Sequence, residues 1–406
     1  MKRILLLILS CLPCCANVFQ LGVENISPAF VAWLAGQRVG LATNQTGVNQ
    51  LGKRTIDILK AKGINLCAIF TPEHGITGTV GAELKVKDSV DGSTGVSIFS
   101  LYAGDTGKKI TQQTLDPVDV IIFDMQDSGM RHYTYISTLF HLMKAAAHFK
   151  KRVVVLDRPN PLGCNMEGPL VDDGLISFIS IASIPVRHAM TIGELALYFN
   201  KMLLHDAVEL HVIKMSGYER SKGIQGKLLV GLSPNIQSAN SCYGYSFLGL
   251  LGDIDPFHIG VGTDKAFQCI MLSEKMKIDQ TVWQQLQKLL GEMHINGSPY
   301  RYYNEKKKDW FQGLSLHFSD INKVHSFTLF MKILVLFKKA GVTCSFGVNF
   351  DKAVGTLAVR EFLAGTLSAA AFTKKINDGL DSFYKQAQLA FLYQPNPTLI
   401  HVPILN

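Results

Sequence analysis

The sequence lacks the short motifs by which several large enzyme classes are recognised. No GxGxxG, P-loop or HExxH pattern occurs in its 406 residues, so nucleotide binding and zincin chemistry lose their usual support. Gly260-Val-Gly262 is half of a dinucleotide fingerprint, but the third glycine and a clear preceding strand are missing. The sequence therefore predicts no nucleotide cofactor, and no other cofactor is indicated.

Closely spaced cysteines are missing beyond the N-terminus. Of the 8 cysteines, Cys11, Cys14 and Cys15 lie in the N-terminal segment, and the other five are widely scattered with no CxxC pair. Structural zinc sites and disulfide frameworks both need a regular cysteine pattern. We therefore expect neither a metal site nor a disulfide framework.

Long basic stripes with interleaved aromatic residues are also absent, although the formal net charge is +8. The basic clusters are short and lie at residues 150–152, 306–308 and 374–375. Nucleic-acid binding usually needs a more continuous basic surface. We expect no nucleic-acid partner, whereas an anionic polymer such as cell wall would suit a mildly basic exported protein.

The N-terminus has the pattern of a secretory signal. Lys2 and Arg3 precede a short apolar run that is too short to span a bilayer, and no later run is long enough to do so. We assign residues 1–18 to a signal peptide and expect an exported protein, periplasmic or extracellular. Ile8-Leu-Ser-Cys11 loosely matches a lipoprotein acceptor site, so a lipid anchor is a second option.

Short apolar runs alternate with helical patterns through the first part of the chain. Residues 38–43 and 65–70 read as buried strands around a helix at 55–62, which makes a parallel βαβ unit with a right-handed connection. Further strands are predicted at 97–101, 118–123, 152–156 and 209–214. We place a boundary in the glycine-rich stretch 235–260, dividing the mature chain into residues 19–250 and a smaller region, 251–406.

Polar residues crowd the segment that follows the strand at 118–123. In open α/β sheets ligands bind beyond the carboxyl ends of the strands, so this crowding predicts a site. The alternative is that Asp124 and Asp127 cap the following helix while Arg131 pairs with them. The crowded residues are Asp124, Gln126, Asp127, Arg131, His132, Tyr133 and Tyr135.

Other predicted strands end in similar polar turns. Glu73 and His74 follow the strand at 65–70, in a turn that Pro72, Gly75 and Gly78 make tight. A carboxylic acid held there could act as a general acid. The alternative is that Glu73 caps a helix or pairs with an arginine.

Four more turns contribute candidates for the same site. Two prolines fix the backbone beside Arg158 and Asn160, and Glu167 follows as a second carboxylate, although this loop could also be purely structural. His188 lies just before Thr191 and Glu194, which form a helix-opening capping box. Asn44 and Asn235 occupy the turns at residues 44–47 and 232–236.

Several long runs occur together and in one order. They are Gly40-Leu-Ala-Thr-Asn-Gln-Thr-Gly47, Phe70-Thr-Pro-Glu-His-Gly75, Phe123-Asp-Met-Gln-Asp-Ser-Gly129, Arg131-His-Tyr-Thr-Tyr135, Leu156-Asp-Arg-Pro-Asn-Pro161, Glu167-Gly-Pro169, Met190-Thr-Ile-Gly-Glu-Leu-Ala196 and Ser233-Pro-Asn235. Together they resemble the exo-β-N-acetylmuramidase (NamZ-like) family of cell-wall recycling glycosidases. Weaker matches near Phe350-Asp-Lys352 and Gly355 extend the resemblance almost to the C-terminus.

The resemblance implies a Rossmann-like parallel-sheet N-terminal domain joined to a smaller α/β domain, with a cleft between them. It also implies release of N-acetylmuramic acid from the non-reducing end of peptidoglycan fragments. Glycoside hydrolysis ordinarily uses two carboxylates about 5 to 9.5 Å apart, and their separation decides between retention and inversion. The sequence leaves that distance open.

We assign roles on this basis. Glu73 is the predicted general acid, with His74 and Asp127 as neighbours and Glu167 as the weaker second candidate. Arg131 and Arg158 are the predicted ligands of the sugar's lactyl carboxylate, because a guanidinium binds such groups bidentately. The remaining predicted substrate-binding residues are Asn44, Gln126, Tyr133, Asn160, His188 and Asn235.

The chain departs from the family pattern at three places. Val261 stands where relatives often carry an arginine, Asp253 stands near a missing glutamate, and Ala189 replaces a glycine. These departures favour a different aminosugar preference or weakened activity. Two other functions stay open at this point: a non-catalytic exported wall-binding protein, and a metal-dependent phosphoesterase using Asp124, Asp127, His132 and His188.

Overall fold

A mostly parallel sheet forms the centre of the N-terminal region. The computed structural model describes residues 18–81, 84–102, 110–224 and 227–405. Most of the sheet consists of short apolar runs buried on both faces, as expected for parallel strands covered by helices. The strands of this region are β1 (Val39–Thr43), β2 (Leu66–Thr71), β3 (Ser89–Val90), β4 (Ser97–Ser100), β5 (Val120–Asp124), β6 (Arg152–Leu156), β7 (Asn165–Glu167) and β8 (Leu210–Ile213).

The sheet has the order β3-β4-β2-β1-β5-β6-β8, and only the edge strand β3 is antiparallel to its neighbour. From β1 the chain adds β2 and β4 on one side, then returns to add β5, β6 and β8 on the other. This is the doubly wound order, whose switch point lies between β1 and β5. The predicted α/β class with a Rossmann-like N-terminal sheet is confirmed.

Helices connect these strands. The capping box predicted at Thr191 and Glu194 is confirmed at the start of one of them. The Thr191 hydroxyl accepts a hydrogen bond from the Glu194 N–H, and the Glu194 carboxylate accepts one from the Thr191 N–H. A π-helical turn, Phe199–Leu203, prolongs the helix that this box opens. The α-helices of the region are α1 (Pro28–Trp33), α2 (Thr55–Ala61), α3 (Gln112–Leu115), α4 (Tyr135–His148) and α5 (Ile192–Tyr198).

The C-terminal region packs helices against a small antiparallel sheet. Its three strands have the order β10-β12-β11, and the last two form a long hairpin. Its elements are α6 (Ala239–Leu251), β9 (Ile254–Asp255), β10 (Cys269–Ser273), α7 (Gln280–Gly291), β11 (Ile295–Asn304), β12 (Asp309–Phe318), α8 (Ser326–Lys339), β13 (Ser345–Phe346), α9 (Phe350–Val354), α10 (Ala358–Ala364), α11 (Ala369–Ala387) and β14 (Thr398–Ile400). Short 3-10 turns lie at Gly22–Asn25, Arg220–Lys222, Glu274–Met276, Ile321–Lys323 and Gln388–Ala390.

The end of the chain returns to the N-terminal region. Strand β14 pairs in parallel with β7, and the Tyr393 hydroxyl donates a 2.7 Å hydrogen bond to the buried Asp157 carboxylate. One continuous cluster of buried apolar side chains includes residues from both regions. The predicted boundary at residue 250 coincides with the end of α6 and stays a prediction.

Two elements of the C-terminal region were not predicted from the sequence. The stretch 235–260 contains the helix α6, whose side chains are mostly buried, and a helix buried on all sides has no amphipathic period to detect. Strand β11 was not predicted either.

Three predictions concern the termini and the cysteines. Except for Val18, the predicted signal peptide lies outside the described residues. None of the helices in the described ranges combines the length and the apolar character needed to cross a membrane. Five cysteines are described, and all are free thiols.

Candidate active site

A cavity of about 300 Å³ lies at the carboxyl edge of the sheet, beyond β2 and β4. We call it the Glu73 cavity. It combines residues that follow β2, β4 and β5 with others from the C-terminal region. Its described lining residues are Glu73, His74, Tyr102, His132, Tyr133, Thr134, Ser177, Phe178, Ile179, Ser233, Asn235, Ile236, Tyr245, Phe267, Asn349 and Lys352.

Glu73 and His74 enter the cavity from the turn that ends β2. Glu73 is only 8% exposed, and its Oε2 accepts a 2.7 Å hydrogen bond from the Thr134 hydroxyl. His74 has a positive φ of 70°, a conformation that is uncommon for a residue with a side chain. Its Nδ1 lies 2.6 Å from the Val80 carbonyl and therefore carries the proton. The turn thus holds a carboxyl group and an imidazole at the cavity wall.

Three side chains fix the wall opposite this turn by binding one carbonyl. The Leu232 oxygen accepts hydrogen bonds from Tyr133 Oη (2.8 Å), Tyr135 Oη (3.1 Å) and Gln45 Nε2 (2.9 Å). These bonds hold the segment 227–236 across the edge of the sheet. Asn235, on the same segment, lines the Glu73 cavity as its predicted binding role requires.

His132 lines the cavity, although it was not among the residues predicted to bind the sugar. It is buried against the Tyr245 ring, and neither ring nitrogen has a hydrogen-bond partner among the described residues. Burial, with a smaller effect from Arg131, lowers the pKa of His132 to about 3, so the imidazole is neutral near pH 7. Asn349 and Lys352, also missed, come from the C-terminal region, where the sequence showed little site character.

Asp127 and His188 are buried behind the lining of the Glu73 cavity and are not part of that lining. Oδ2 of Asp127 accepts a 2.7 Å bond from the Gly129 N–H and lies 3.2 Å from His188 Nε2, off line for a hydrogen bond. His188 Nδ1 accepts from the Met190 N–H, so Nε2 carries the proton. His188 is fully buried and does not line the cavity, which contradicts its predicted contact with substrate.

Glu167 does not belong to the cavity. It is fully buried, and its carboxylate forms an ion pair with Arg187 at 2.9 Å. The carboxylate also accepts hydrogen bonds from the backbone N–H groups of Ser326 and Phe327 at the start of α8. A carboxylate is stabilised there by the helix dipole. Its predicted role as a second catalytic carboxylate is therefore wrong, because its oxygens already hold two regions of the chain together.

Arg131 is likewise internal. Its guanidinium donates to Ser180 Oγ and to the carbonyls of Pro169, Ile184 and Ala353. Burial lowers the pKa of Arg131 to about 9, which still leaves it charged near pH 7. Its predicted contact with a substrate carboxylate is contradicted, since its donors are engaged by the protein.

Arg158 forms a buried ion pair with Asp124, and the Nη2 to Oδ2 distance is 2.8 Å. It also donates to the Val48 carbonyl. Arg158 and Gln126 line a second cavity of about 510 Å³ on the other side of the segment 227–236. The acidic residue of that cavity, Glu219, is half exposed and pairs with Lys222, so the larger space offers a poorer acid than Glu73.

The two predicted asparagines at the other turns shape the backbone. Oδ1 of Asn44 accepts from the N–H and hydroxyl of Thr46. Asn160 accepts from the Leu162 N–H and donates to the Met190 carbonyl. Both are buried and lie outside the lining of the Glu73 cavity, so their predicted contacts with substrate are not supported.

The residues weighed for a metal-dependent esterase do not act as one cluster. Asp124 is held by Arg158 and by the Thr55 hydroxyl, whereas Asp127 approaches His188 and His132 packs against Tyr245. Within the described ranges, no group of three or more His, Cys, Asp or Glu side chains could hold a metal ion.

Comparison with known proteins covers nearly the whole chain. Residues 39–240 match the N-terminal and residues 243–393 the C-terminal family model of the exo-β-N-acetylmuramidase NamZ. The peptidoglycan β-N-acetylmuramidase NamZ of Bacillus subtilis is 34% identical over 388 residues, which cover 92% of this chain and 91% of that protein.

Two crystal structures of DUF1343 family proteins from Bacteroides fragilis share the fold. One has a TM-score of 0.79 and 32% identity, covering 93% of this chain and 99% of its own. The other has a TM-score of 0.69 and 27% identity, covering 93% and 100%. The resemblance expected from the sequence is thus confirmed, and the chain belongs to the exo-β-N-acetylmuramidase NamZ family of glycoside hydrolases.

Proposed function

We propose that the Glu73 cavity is where this chain, an exo-acting glycosidase of the NamZ family, releases terminal N-acetylmuramic acid from peptidoglycan fragments. The observation that carries the proposal is the placement of Glu73. Its carboxyl group lines a sugar-sized cavity at the carboxyl edge of the sheet, next to the switch point of the fold.

Glu73 is the proposed general acid. The protonated carboxyl gives its proton to the glycosidic oxygen as the bond to the sugar breaks, and the leaving group departs as a neutral alcohol. Water adds to the anomeric carbon, and the proton that it loses restores the Glu73 carboxyl. The Thr134 hydroxyl, bonded to Oε2, fixes the orientation of the carboxyl group. His74 stands beside it, with its ring direction set by the Val80 carbonyl.

Asp127 is proposed to act indirectly. Burial chiefly raises the pKa values of Tyr133 and Tyr245, and the nearby Asp127 charge raises both further. These phenols therefore stay protonated and can keep donating hydrogen bonds. Asp127, predicted as a neighbour of Glu73, thus supports a wall of the cavity.

A chromogenic β-N-acetylmuramide tests the proposal. We expect release of the chromophore by the mature protein in the presence of EDTA, and a fall in kcat of about 10²- to 10⁴-fold in Glu73→Gln. Glu361→Gln, an exposed change on α10, is the matched control and should keep wild-type activity. Activity of Glu73→Gln within a few-fold of wild type would remove the acid role.

The non-catalytic wall-binding alternative gains no support from the relatives, which are named for a glycosidase activity. The same assay decides between the two. Binding of N-acetylmuramic acid without release of chromophore from any muramide would favour the binding protein.

We further propose that the protein is exported, to the periplasm or the cell exterior. The support is the basic start and short apolar run of residues 1–18. Cell fractionation and N-terminal sequencing should find a mature chain beginning near residue 19 outside the cytoplasm. Fatty-acid labelling that depends on Cys11 would instead establish the lipid anchor.

A further inference from the structure

Lys352 lines the Glu73 cavity from the C-terminal region of the chain. It lies on the short helix α9, beside Asn349, which lines the same cavity. Lys352 is exposed, and its side-chain ammonium has no hydrogen-bond or ion-pair partner among the residues that the structure describes. A residue that lines the cavity thus carries a cation whose three donors are free for a ligand.

The other candidate cations near the cavity are not available. Arg131 is engaged by carbonyls and Ser180, and Arg158 is paired with Asp124. His132 is neutral near pH 7. Among the described lining residues, Lys352 is therefore the strong base that can meet an anion.

An acidic sugar needs such a partner in this cavity. The substrate's carboxylate has to leave bulk water for a space of about 300 Å³, and a carboxylate that leaves water without a partner is costly. An ammonium in the same space offsets that cost and forms a charge-assisted hydrogen bond. A neutral aminosugar of the same size gains nothing from it.

We propose that Lys352 is the specificity-determining residue that binds the carboxylate of the sugar released by this enzyme. The inference rests on the proposed function of the Glu73 cavity and deepens it. It replaces the direct role that the sequence suggested for Arg131 and Arg158.

The N-terminal region presents Lys352 through its backbone. Ser180 Oγ donates a 2.6 Å hydrogen bond to the Lys352 carbonyl, and Arg131 Nη2 donates a 3.0 Å bond to the next carbonyl, Ala353. Gly355 allows this approach, because a Cβ there would lie 2.4 Å from Arg131 Nη2. Arg131 is therefore a positioning residue for α9, the short helix that carries Lys352.

The test compares two glycosides that differ only at the lactyl carboxyl group: a chromogenic β-N-acetylmuramide and its uncharged lactyl methyl ester. In Lys352→Met we expect kcat/KM for the acid to fall about 10- to 100-fold, the range of a lost charge-assisted hydrogen bond. For the ester, kcat/KM should fall by less than about threefold, because the neutral ester offers no charge with which Lys352 could pair. Lys352→Arg should recover most of the preference for the acid.

Lys323→Met is the matched control, because Lys323 is an exposed lysine outside the cavity. It should leave both substrates unaffected. Equal losses on acid and ester in Lys352→Met, or no loss on the acid, would overturn the inference while leaving the glycosidase proposal intact.

Calorimetry with free N-acetylmuramic acid keeps the two proposals separable. If wild-type protein binds this sugar and Lys352→Met binds it at least tenfold more weakly, the contact is supported even where no glycoside is cleaved. Equal affinity in both proteins, or no binding by either, overturns it.

Discussion

Two sets of charged residues at the carboxyl edge of the sheet behave differently. Around the ion pairs Arg158–Asp124, Arg187–Glu167 and Arg220–Glu194, every member is buried and the charges face one another. Around Glu73, the polar groups His132 and Lys352 lack a partner among the described residues. Buried charges that are already paired serve structure, whereas unused polar groups beside a cavity are free to serve a ligand.

The largest effect is expected at Glu167, the carboxylate of one of these buried ion pairs. Glu167→Gln leaves Arg187 uncompensated and weakens the start of α8, so we expect the free energy of unfolding to fall by about 3 to 5 kcal/mol. Urea denaturation measures this. Protein that remains folded should turn over within a few-fold of wild type. A 100-fold loss of kcat with unchanged stability would return Glu167 to the reaction.

The second prediction asks whether Arg158 binds substrate. Arg158→Met strands the buried Asp124 carboxylate, and we expect about 3 kcal/mol of lost stability in urea denaturation. The preference for the acidic muramide over its ester should not change, unlike that of Lys352→Met. Loss of this preference in Arg158→Met would assign the carboxylate contact to the other cavity.

The third prediction concerns pH and His132. Its pKa is about 3 in the folded protein and near the ordinary value of 6.5 when unfolded, so unfolding takes up a proton below pH 6.5. The stability that the neutral imidazole contributes is complete above pH 6.5 and is lost as the pH falls toward 3.

Between pH 7 and pH 5 this loss is about 2 kcal/mol, at about 1.4 kcal/mol per pH unit below 6.5. His132→Phe should remove it, so the variant's unfolding free energy should decline less over this range by that amount. Parallel pH profiles for the two proteins would show that His132 is not a buried neutral group.

The smallest expected effect is at Thr134. Thr134→Val removes the hydroxyl that donates to Glu73 and keeps the side-chain shape, so we expect a loss of about 1 kcal/mol in transition-state stabilisation, or about fivefold in kcat. Steady-state kinetics on the muramide measures it. An unchanged kcat would show that the hydroxyl does not orient the acid.

Local patterns predicted much of the fold. The strand at 152–156 and the helix opened by Thr191 were found because apolar runs and capping residues act over a few positions. Helix α6 and strand β11 were missed, because one is buried on all sides and the other has exposed residues along most of its length.

Local patterns predicted the site less completely. Glu73, His74, Tyr133 and Asn235 do line the cavity, but Glu167, Arg131, His188 and Asn160 turn inward. Nothing in their own segments separates the two groups, because all follow strands or lie in polar turns. The partners that decide the matter are distant in sequence, as Ala353 is for Arg131 and Ser326 for Glu167.

The sequence by itself determined the family, the parallel strands and the presence of an acid at the end of β2, since each is written in contiguous residues. Only the tertiary structure decided which charged side chains pair with one another and which line the cavity. The physical reason is that a buried guanidinium or carboxylate must find partners wherever packing brings them. Some of those partners are far away in the sequence, by 222 residues for Arg131 and Ala353 and by 159 for Glu167 and Ser326.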